Sequence, residues 1–149
     1  MIFADTSLLC ALYREQDNSP DADRLMRRKA EAVHVSSFVL FEFRQSTRLH
    51  VFRFSKDRTQ GFSKPEALRM LDTLQANIKA GRIVVSPVEW QDVHSLAEKL
   101  SAQHTSVGGY RTLDVLHVAT ALHLKAREFL TFDENQASLA IAAGLNVRP

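Results

Sequence analysis

Four acidic residues stand where strands are predicted to end or helices to begin: Asp5, Glu42, Asp114 and Asp133. Asp5 follows the short apolar run 1–4, and Asp133 follows the apolar run 129–132. If both runs are parallel strands, both carboxylates emerge at the carboxyl edge of one sheet, where open α/β sheets bind their ligands. A cluster of carboxylates at that edge is suited to holding a hard divalent cation.

Asp114 and Glu42 each allow an ordinary interpretation when taken alone. Asp114 lies two residues after the predicted helix cap Thr112, where the helix dipole favours an ionised carboxylate and the acid can simply help to cap the helix. Glu42 lies in the apolar segment 38–43, where a charge is costly unless it is paired, exposed or metal-bound. It can also mark the solvated face of its helix.

The combination of the four acids favours a metal site. Carboxylates that share one site raise one another's pKa and destabilise the fold unless the charge is compensated. One or two Mg²⁺ or Mn²⁺ ions would offset that cost. Such ions also activate a water and neutralise the charge that develops during phosphoryl chemistry.

The elements that must position these acids form an alternating series. Strands are predicted at 1–5, 33–36, 82–86 and 129–132, with a possible edge strand at 145–147. Helices are predicted over 7–15, 20–30, 38–54, 63–81, 86–103, 112–126 and 135–143. The segment 105–111 contains Gly108-Gly109 and is predicted to be a mobile loop. Short apolar strands separated by helices predict one α/β domain over residues 1–149, with a mostly parallel sheet covered on both faces.

Composition narrows the class of protein. The chain has 149 residues, 45% hydrophobic and 24% charged, which is typical of a globular domain and unlike disordered or fibrous proteins. Its apolar stretches are too short to span a membrane and no leader opens the chain, so we expect a soluble cytosolic protein without a membrane partner. The single Cys10 excludes an internal disulfide and a Cys-based zinc site.

A basic stretch is the second feature with functional content. Residues 44–58 contain five basic side chains and one acidic one, although the net charge of the whole chain is only +2. Such a stretch beside an acidic pocket suits a phosphate-bearing polymer. Arg44, Arg48 and Arg53 are therefore candidates for contact with a nucleic-acid backbone. The alternative is a solvated helix face followed by a charged loop.

Four segments resemble the PIN-domain ribonucleases, and the VapC-type toxins of bacterial toxin–antitoxin pairs in particular. They are Asp5-Thr6-Ser7 after the opening strand, Glu42 in the helix after the second strand, the segment 113–121 around Asp114, and Leu130-Thr131-Phe132-Asp133. The resemblance covers essentially the whole chain and implies a three-layer α/β/α fold. It also implies that Asp5, Glu42 and Asp114 bind the metal and that Asp133 completes the pocket directly or through water. Ser7 and Thr131 would orient carboxylates and waters through their hydroxyls, or serve only in helix capping and strand packing.

The resemblance further implies an Mg²⁺- or Mn²⁺-dependent endoribonuclease that acts as a toxin, forms a homodimer and is inhibited by a cognate antitoxin. The alternative is a non-catalytic module of the same fold that binds RNA or protein. A receiver-type phosphoacceptor domain is disfavoured, because it would need a Lys after a late strand and Lys125 precedes its predicted strand. His117 lies three residues after Asp114 and could carry a proton or bind a metal, although hard cations favour oxygen ligands and a structural role is the simpler interpretation.

Overall fold

The computed structural model describes residues 1–28 and 31–148 and contains a five-stranded parallel sheet. The strands are β1 (Ile2–Ala4), β2 (Val33–Val35), β3 (Ile83–Val85), β4 (Glu128–Leu130) and β5 (Val147–Arg148). Their order in the sheet is β3-β2-β1-β4-β5, and every pairing is parallel. β1 is therefore the central strand, and its carboxyl end opens directly onto Asp5.

The helices lie between these strands in chain order. They are α1 (Thr6–Tyr13), α2 (Ser19–Arg28), α3 (Ser37–Lys56), α4 (Lys64–Lys79), α5 (Trp90–Leu100), α6 (Ser106–Gly108), α7 (Thr112–His123) and α8 (Glu134–Ala142), with a π-helical turn at Ser101–Thr105 between α5 and α6. Helices α1 to α4, which connect β1 to β2 and β3, contact one another, and α7 contacts both α5 and α8. Right-handed crossovers on the two sides of β1 place these groups on opposite faces of the sheet. The predicted three-layer α/β/α arrangement is confirmed.

Local sequence signals account for the helix starts that position the site. Asp5 caps α1, and Ser36 caps α3 by accepting from Val39 N at 3.2 Å. Ser63 and Glu66 form the predicted capping box of α4, with a proline in the first turn. The apolar side of β1 supplies Phe3, whose ring stacks on Phe129 of β4 with centroids 6.2 Å apart in the core.

Several predicted boundaries were wrong. β4 begins at Glu128 and ends at Leu130, so that Thr131 and Phe132 lie beyond the strand. The helix predicted from 86 begins only at Trp90, and its N-cap residue makes no side-chain hydrogen bond. The N-cap of α7 is Arg111, and Thr112, the predicted cap, is the first residue of the helix. The predicted end of the second helix at Ala30 lies outside the described residues.

The predicted loop 105–111 is partly helical. The helix that precedes it continues as the π-helical turn and then as α6, which ends at Gly109 in the left-handed conformation with φ of 69°. The glycine pair was interpreted as a loop signal, whereas Gly109 serves as the left-handed residue that ends a helix. Within residues 1–28 and 31–148, no helix combines the length and the apolar character that crossing a membrane requires.

Replacing Phe129 tests whether the stacked pair anchors the central strand. Phe129 is 0% exposed, so Phe129→Ala leaves a cavity beside Phe3 and should lower the free energy of unfolding by about 3–5 kcal/mol. Val107→Ala is the control, because Val107 is 91% exposed and the change should stay within about 0.5 kcal/mol. Urea unfolding measures both, and equal effects would contradict the assignment of Phe129 to the core.

Candidate functional site

Asp5 lies at the carboxyl end of the central strand and is completely buried. Its Oδ1 atom accepts hydrogen bonds from Ser7 N at 3.1 Å, Ser7 Oγ at 2.7 Å and Leu8 N at 3.3 Å. Its Oδ2 atom accepts from Thr131 Oγ1 at 2.9 Å. The carboxylate therefore caps α1 and at the same time joins β1 to the segment that follows β4.

Ser7 and Thr131 connect Asp5 to the start of α8. Ser7 Oγ accepts from Phe132 N at 2.7 Å, and Thr131 Oγ1 accepts from Asp133 N at 2.9 Å. Each hydroxyl thus touches the Asp5 carboxylate and a backbone amide of the connection after β4. The sequence assigned these two residues either an orienting role or a local capping role, and their contacts here extend well beyond local capping.

The environment of Asp5 favours the protonated carboxyl group. Burial raises the pKa of Asp5, and this effect exceeds the lowering by the charge of His117 and by the hydrogen bonds from Ser7, Thr131 and Leu8. The donors within hydrogen-bond distance of this carboxylate are neutral groups. A charge at this position is therefore only partly compensated by the protein.

Glu42 is paired with His117 rather than projecting freely from the solvated face of its helix. Its Oε2 atom lies 2.8 Å from His117 Nε2 and also accepts a hydrogen bond from the hydroxyl of Thr6. The Glu42 side chain is 28% exposed, whereas that of His117 is 2% exposed. Burial acts to raise the pKa of Glu42, but the hydrogen bonds from His117 and Thr6, together with the charge of His117, outweigh burial and leave the pKa lowered.

Asp114 and Asp133 both make capping interactions. The Oδ2 atom of Asp114 accepts from Arg111 N at 3.1 Å and lies 3.5 Å from Arg111 Nε, and the side chain is 6% exposed. Asp133 is half-buried at the N-cap of α8, where its Oδ1 atom accepts from Gln136 N at 3.0 Å. The ordinary interpretation of Asp114 as a capping residue therefore describes real contacts, and these contacts involve one oxygen of each carboxylate.

His117 relates the acids to one another across the fold. It belongs to α7, three residues after Asp114, yet it contacts Glu42 of α3 and its charge affects the pKa of Asp5. The structure thus brings Asp5, Glu42 and His117 into one neighbourhood at the carboxyl edge of the sheet. Sequence spacing linked His117 only to Asp114, and nothing in the sequence indicated its contact with Glu42.

The carboxylate oxygens of the site meet the chemical preference of Mg²⁺ and Mn²⁺. Hard cations of this kind prefer carboxylate oxygens, and the buried Asp5 carboxylate lacks a compensating basic contact, so the chemistry of the site fits such an ion. Among the residues that the structure describes, however, no three side chains of His, Cys, Asp or Glu are grouped so that they could hold a metal. The residues therefore suit a hard cation by the type of their donor atoms and by the uncompensated charge of the buried Asp5.

Two other features of the structure do not belong to this site. The Cys10 thiol has its pKa raised to about 11 by burial, which keeps it protonated and unsuited to act as a nucleophile. A cavity of about 590 Å³ lies between α1, α2, α4 and the start of β3, lined by Leu12, Tyr13, Met26, Asn77 and Arg82 among others. None of the four acids lines it, so the buried polar geometry is a better guide to the site than cavity size.

The three arginines predicted to contact RNA lie on α3 but not on one face of it. Arg44 is half-buried, whereas Arg48 and Arg53 are exposed. Arg44 and Arg48 are about one turn apart and share a face, while Arg53 follows Arg44 by about two and a half turns and points the other way. The sequence did not reveal that Phe41 and Phe52 are 58% and 57% exposed beside these arginines.

The comparisons with known proteins give the family. The family model of the PIN domain matches residues 2–142, and the chain belongs to the PIN-domain family. Among solved structures, the sarcin–ricin loop cleaving toxin VapC20 of Mycobacterium tuberculosis is 24% identical, with a TM-score of 0.68 and 100% of both chains covered. VapBC2 of Rickettsia felis, bound to a promoter DNA fragment, is 16% identical with a TM-score of 0.62, covering 99% of this chain and 98% of its own.

A third solved structure agrees in fold. VapBC-1 from nontypeable Haemophilus influenzae is 16% identical with a TM-score of 0.62, covering 99% of this chain and 97% of its own. The comparison with curated proteins gave no significant match. The family and the fold are therefore established over nearly the whole chain.

Asp5→Asn tests the uncompensated charge. Burial raises the pKa of Asp5 in the folded state, so the folded protein binds this proton more tightly than the unfolded chain. In the unfolded chain the pKa of an aspartate is about 3.9. Stability should therefore fall as the pH rises from that value through the folded pKa, and stay reduced above it. Asparagine retains a capping oxygen, so Asp5→Asn should be at least as stable as the parent at pH 7 in EDTA and lose this pH dependence.

Urea unfolding between pH 4 and pH 8 measures this effect. Asp72→Asn is the matched control, because Asp72 is exposed on α4 and its removal should leave the pH dependence unchanged. A loss of more than about 1 kcal/mol in Asp5→Asn at pH 7 would show instead that the ionised carboxylate stabilises the fold on its own.

Proposed function

We propose that this PIN-domain protein is a divalent-metal-dependent endoribonuclease that acts as the toxin of a toxin–antitoxin pair. The observation that carries the proposal is the buried Asp5 carboxylate at the end of the central strand, with the Glu42–His117 pair beside it. Three different elements supply these groups at the sheet edge where α/β proteins bind ligands. Membership of the PIN-domain family and the likeness to VapC20 support the same activity.

In this proposal Asp5, Glu42 and Asp114 would hold Mg²⁺ or Mn²⁺, and Asp133 would complete the pocket directly or through water. When bound, such an ion polarises a phosphoryl oxygen and helps to activate water for an in-line displacement. Ser7 and Thr131 keep the Asp5 carboxylate in one orientation through the hydrogen bonds to its two oxygens. Asp114 lies in the first turn of α7, at the positive end of the helix dipole.

RNA is the proposed substrate because a phosphate backbone needs cations to approach these acids. Arg44, Arg48 and Arg53 supply positive charge along α3, the helix that also bears Glu42. Arg48 lies about one turn from Arg44 and from Phe52 and about two turns from Phe41, so that charge and exposed aromatic surface alternate on this helix. Aromatic rings beside basic groups suit unpaired bases, which can stack on them.

The proposed partners are a cognate antitoxin and a second copy of the chain, in the cytoplasm. The similar solved structures VapBC2 and VapBC-1 are toxin–antitoxin complexes, which supports an antitoxin partner for this chain. The homodimer and the cytoplasmic location follow from the resemblance to VapC-type toxins.

A non-catalytic binding module is the second candidate. The capping contacts of Asp5, Asp114 and Asp133 favour it, because they give each acid a structural role without a metal. Such a module would bind RNA equally well in EDTA and leave it uncut. The extensive burial of Asp5 favours the nuclease, since a capping residue alone does not need a fully buried carboxylate.

Asp114→Asn separates the two candidates. Loss of one metal-binding carboxylate should lower the cleavage rate of structured RNAs roughly a hundredfold or more in Mg²⁺ or Mn²⁺. Removing one group that stabilises the transition-state charge has an effect of this size in other active sites. The RNA set should include a sarcin–ricin loop, and EDTA should abolish cleavage by the parent. The same substitution should relieve any growth arrest that the parent causes in a bacterial host.

The exposed Asp72→Asn serves as the control for the loss of a negative charge and should cleave like the parent. Circular dichroism should show both variants folded. Full activity of Asp114→Asn would remove this residue from the site, and metal-independent binding without cuts by the parent would favour the binding module.

Replacing Arg48 tests whether the arginines of α3 contact the RNA backbone. Arg48→Gln should weaken RNA binding and reduce the slope of log K against log salt by about 0.7, the value for one phosphate contact to a single strand. Arg69→Gln on α4 is the matched control, because Arg69 is exposed on a helix that bears none of the four acids. Fluorescence anisotropy at several salt concentrations measures RNA binding by both variants. Equal slopes for the two variants would show that Arg48 does not contact the RNA backbone.

A further inference from the structure

His117 is a buried histidine whose ring is fixed by aromatic packing. Its ring centroid lies 5.4 Å from that of Phe38, and Phe38 in turn meets Trp90 edge-on with centroids 6.0 Å apart. The side chain is only 2% exposed. The imidazole therefore packs against Phe38 of α3, which is itself supported by Trp90 of α5, and its burial restricts the orientation of Nε2.

The direction of the hydrogen bond between His117 and Glu42 follows from the charge of the carboxylate. The Glu42 carboxylate is partly exposed, and a glutamate in such a position is ionised at neutral pH and can only accept hydrogen bonds. Nε2 of His117 must then carry the hydrogen and donate it. Thr6 donates its hydroxyl hydrogen to the same oxygen, Oε2.

Both of these hydrogen bonds fall on one oxygen of Glu42. Within residues 1–28 and 31–148, the hydrogen bonds of this side chain are the two on Oε2, and the side chain retains 28% exposure. The last torsion of a glutamate is broad and weakly restricted, so an isolated carboxylate at the surface of α3 would rotate freely. Two donors from two other helices, α1 and α7, remove that freedom.

We propose that His117 and Thr6 are positioning residues that fix Oε2 of Glu42 and leave Oε1 available to bind a divalent cation. The inference rests on the proposed function, because it assigns Glu42 to the metal. Carboxylates that bind metals are themselves hydrogen-bonded by neighbouring groups that set their orientation. His117 would act through Glu42, because its Nε2 atom is already bound to Oε2.

Removal of the His117 donor gives the first test. His117→Leu keeps a side chain of apolar bulk but has no donor, and it should weaken Mn²⁺ binding to the RNA-free protein roughly tenfold to a hundredfold. His117→Gln can offer an amide donor and should restore much of the affinity. Titration calorimetry with Mn²⁺ alone measures both, and cleavage assays should show the corresponding rise in the Mn²⁺ concentration that gives half-maximal rate.

Thr6 gives an independent test that does not depend on a fully buried ring. Thr6→Val preserves shape and removes the hydroxyl donor, whereas Thr6→Ser retains it. Thr6→Val should weaken Mn²⁺ binding and Thr6→Ser should not. This pair keeps the proposal open to refutation even if His117→Leu does not fold.

Coupling to Glu42 distinguishes positioning from a general effect on the fold. In a Glu42→Gln background, His117→Leu should cause no further loss of Mn²⁺ affinity, because the carboxylate that it positions has been removed. His123→Leu on the same helix is the matched control and should bind Mn²⁺ like the parent. A merely structural role would instead lower the melting temperature in both backgrounds without changing the dissociation constant.

The outcomes separate this inference from the proposed function. A parent that binds no Mn²⁺ and cuts no RNA would overturn both. A parent that binds Mn²⁺ as tightly as His117→Leu and Thr6→Val would overturn the positioning role alone. Additive losses for Glu42→Gln and His117→Leu would likewise overturn it, because they would show that His117 acts on another group.

Discussion

Burial of the Asp5 carboxylate at the end of the central strand is the constraint on which the rest of the site depends. β1 is covered on both sides by β2 and β4, and helices cover both faces of the sheet, so the residue that follows it has no access to solvent. An ionised group in that position needs compensation. The fold supplies four neutral hydrogen bonds from Ser7, Leu8 and Thr131, and these leave part of the charge uncompensated.

Glu42 shows how the same edge joins the two helical layers. α3 lies on one side of the sheet and α7 on the other, and the hydrogen bond between Glu42 and His117 bridges them just beyond the strand ends. A contact between two layers is possible there because the sheet no longer separates them. Glu42 therefore stabilises the contact between the two helical layers and is also a ligand that the proposed chemistry requires, which links stability and activity at this position.

Part of this architecture could be predicted from the sequence. The apolar run before Asp5 and the alternation of short strands with helices gave the α/β class, and the motifs around Asp114 and Asp133 gave the PIN-domain family. Boundaries were predicted less well: Thr131 was placed in a strand, whereas it follows β4 and uses its hydroxyl to bind Asp5. Periodicity reports the burial of a segment, but the residue at which backbone pairing stops depends on the partner strand.

The sequence by itself determined which residues could do chemistry, because residue type sets the ordinary pKa, the donor capacity and the metal preference of a side chain. It also determined the order of the elements, since hydrophobic period and capping signals act over a few residues. Only the tertiary structure decided that Glu42 meets His117 and Thr6. Residues 6, 42 and 117 belong to three different helices, and such contacts are fixed by how those helices pack, which no local pattern records.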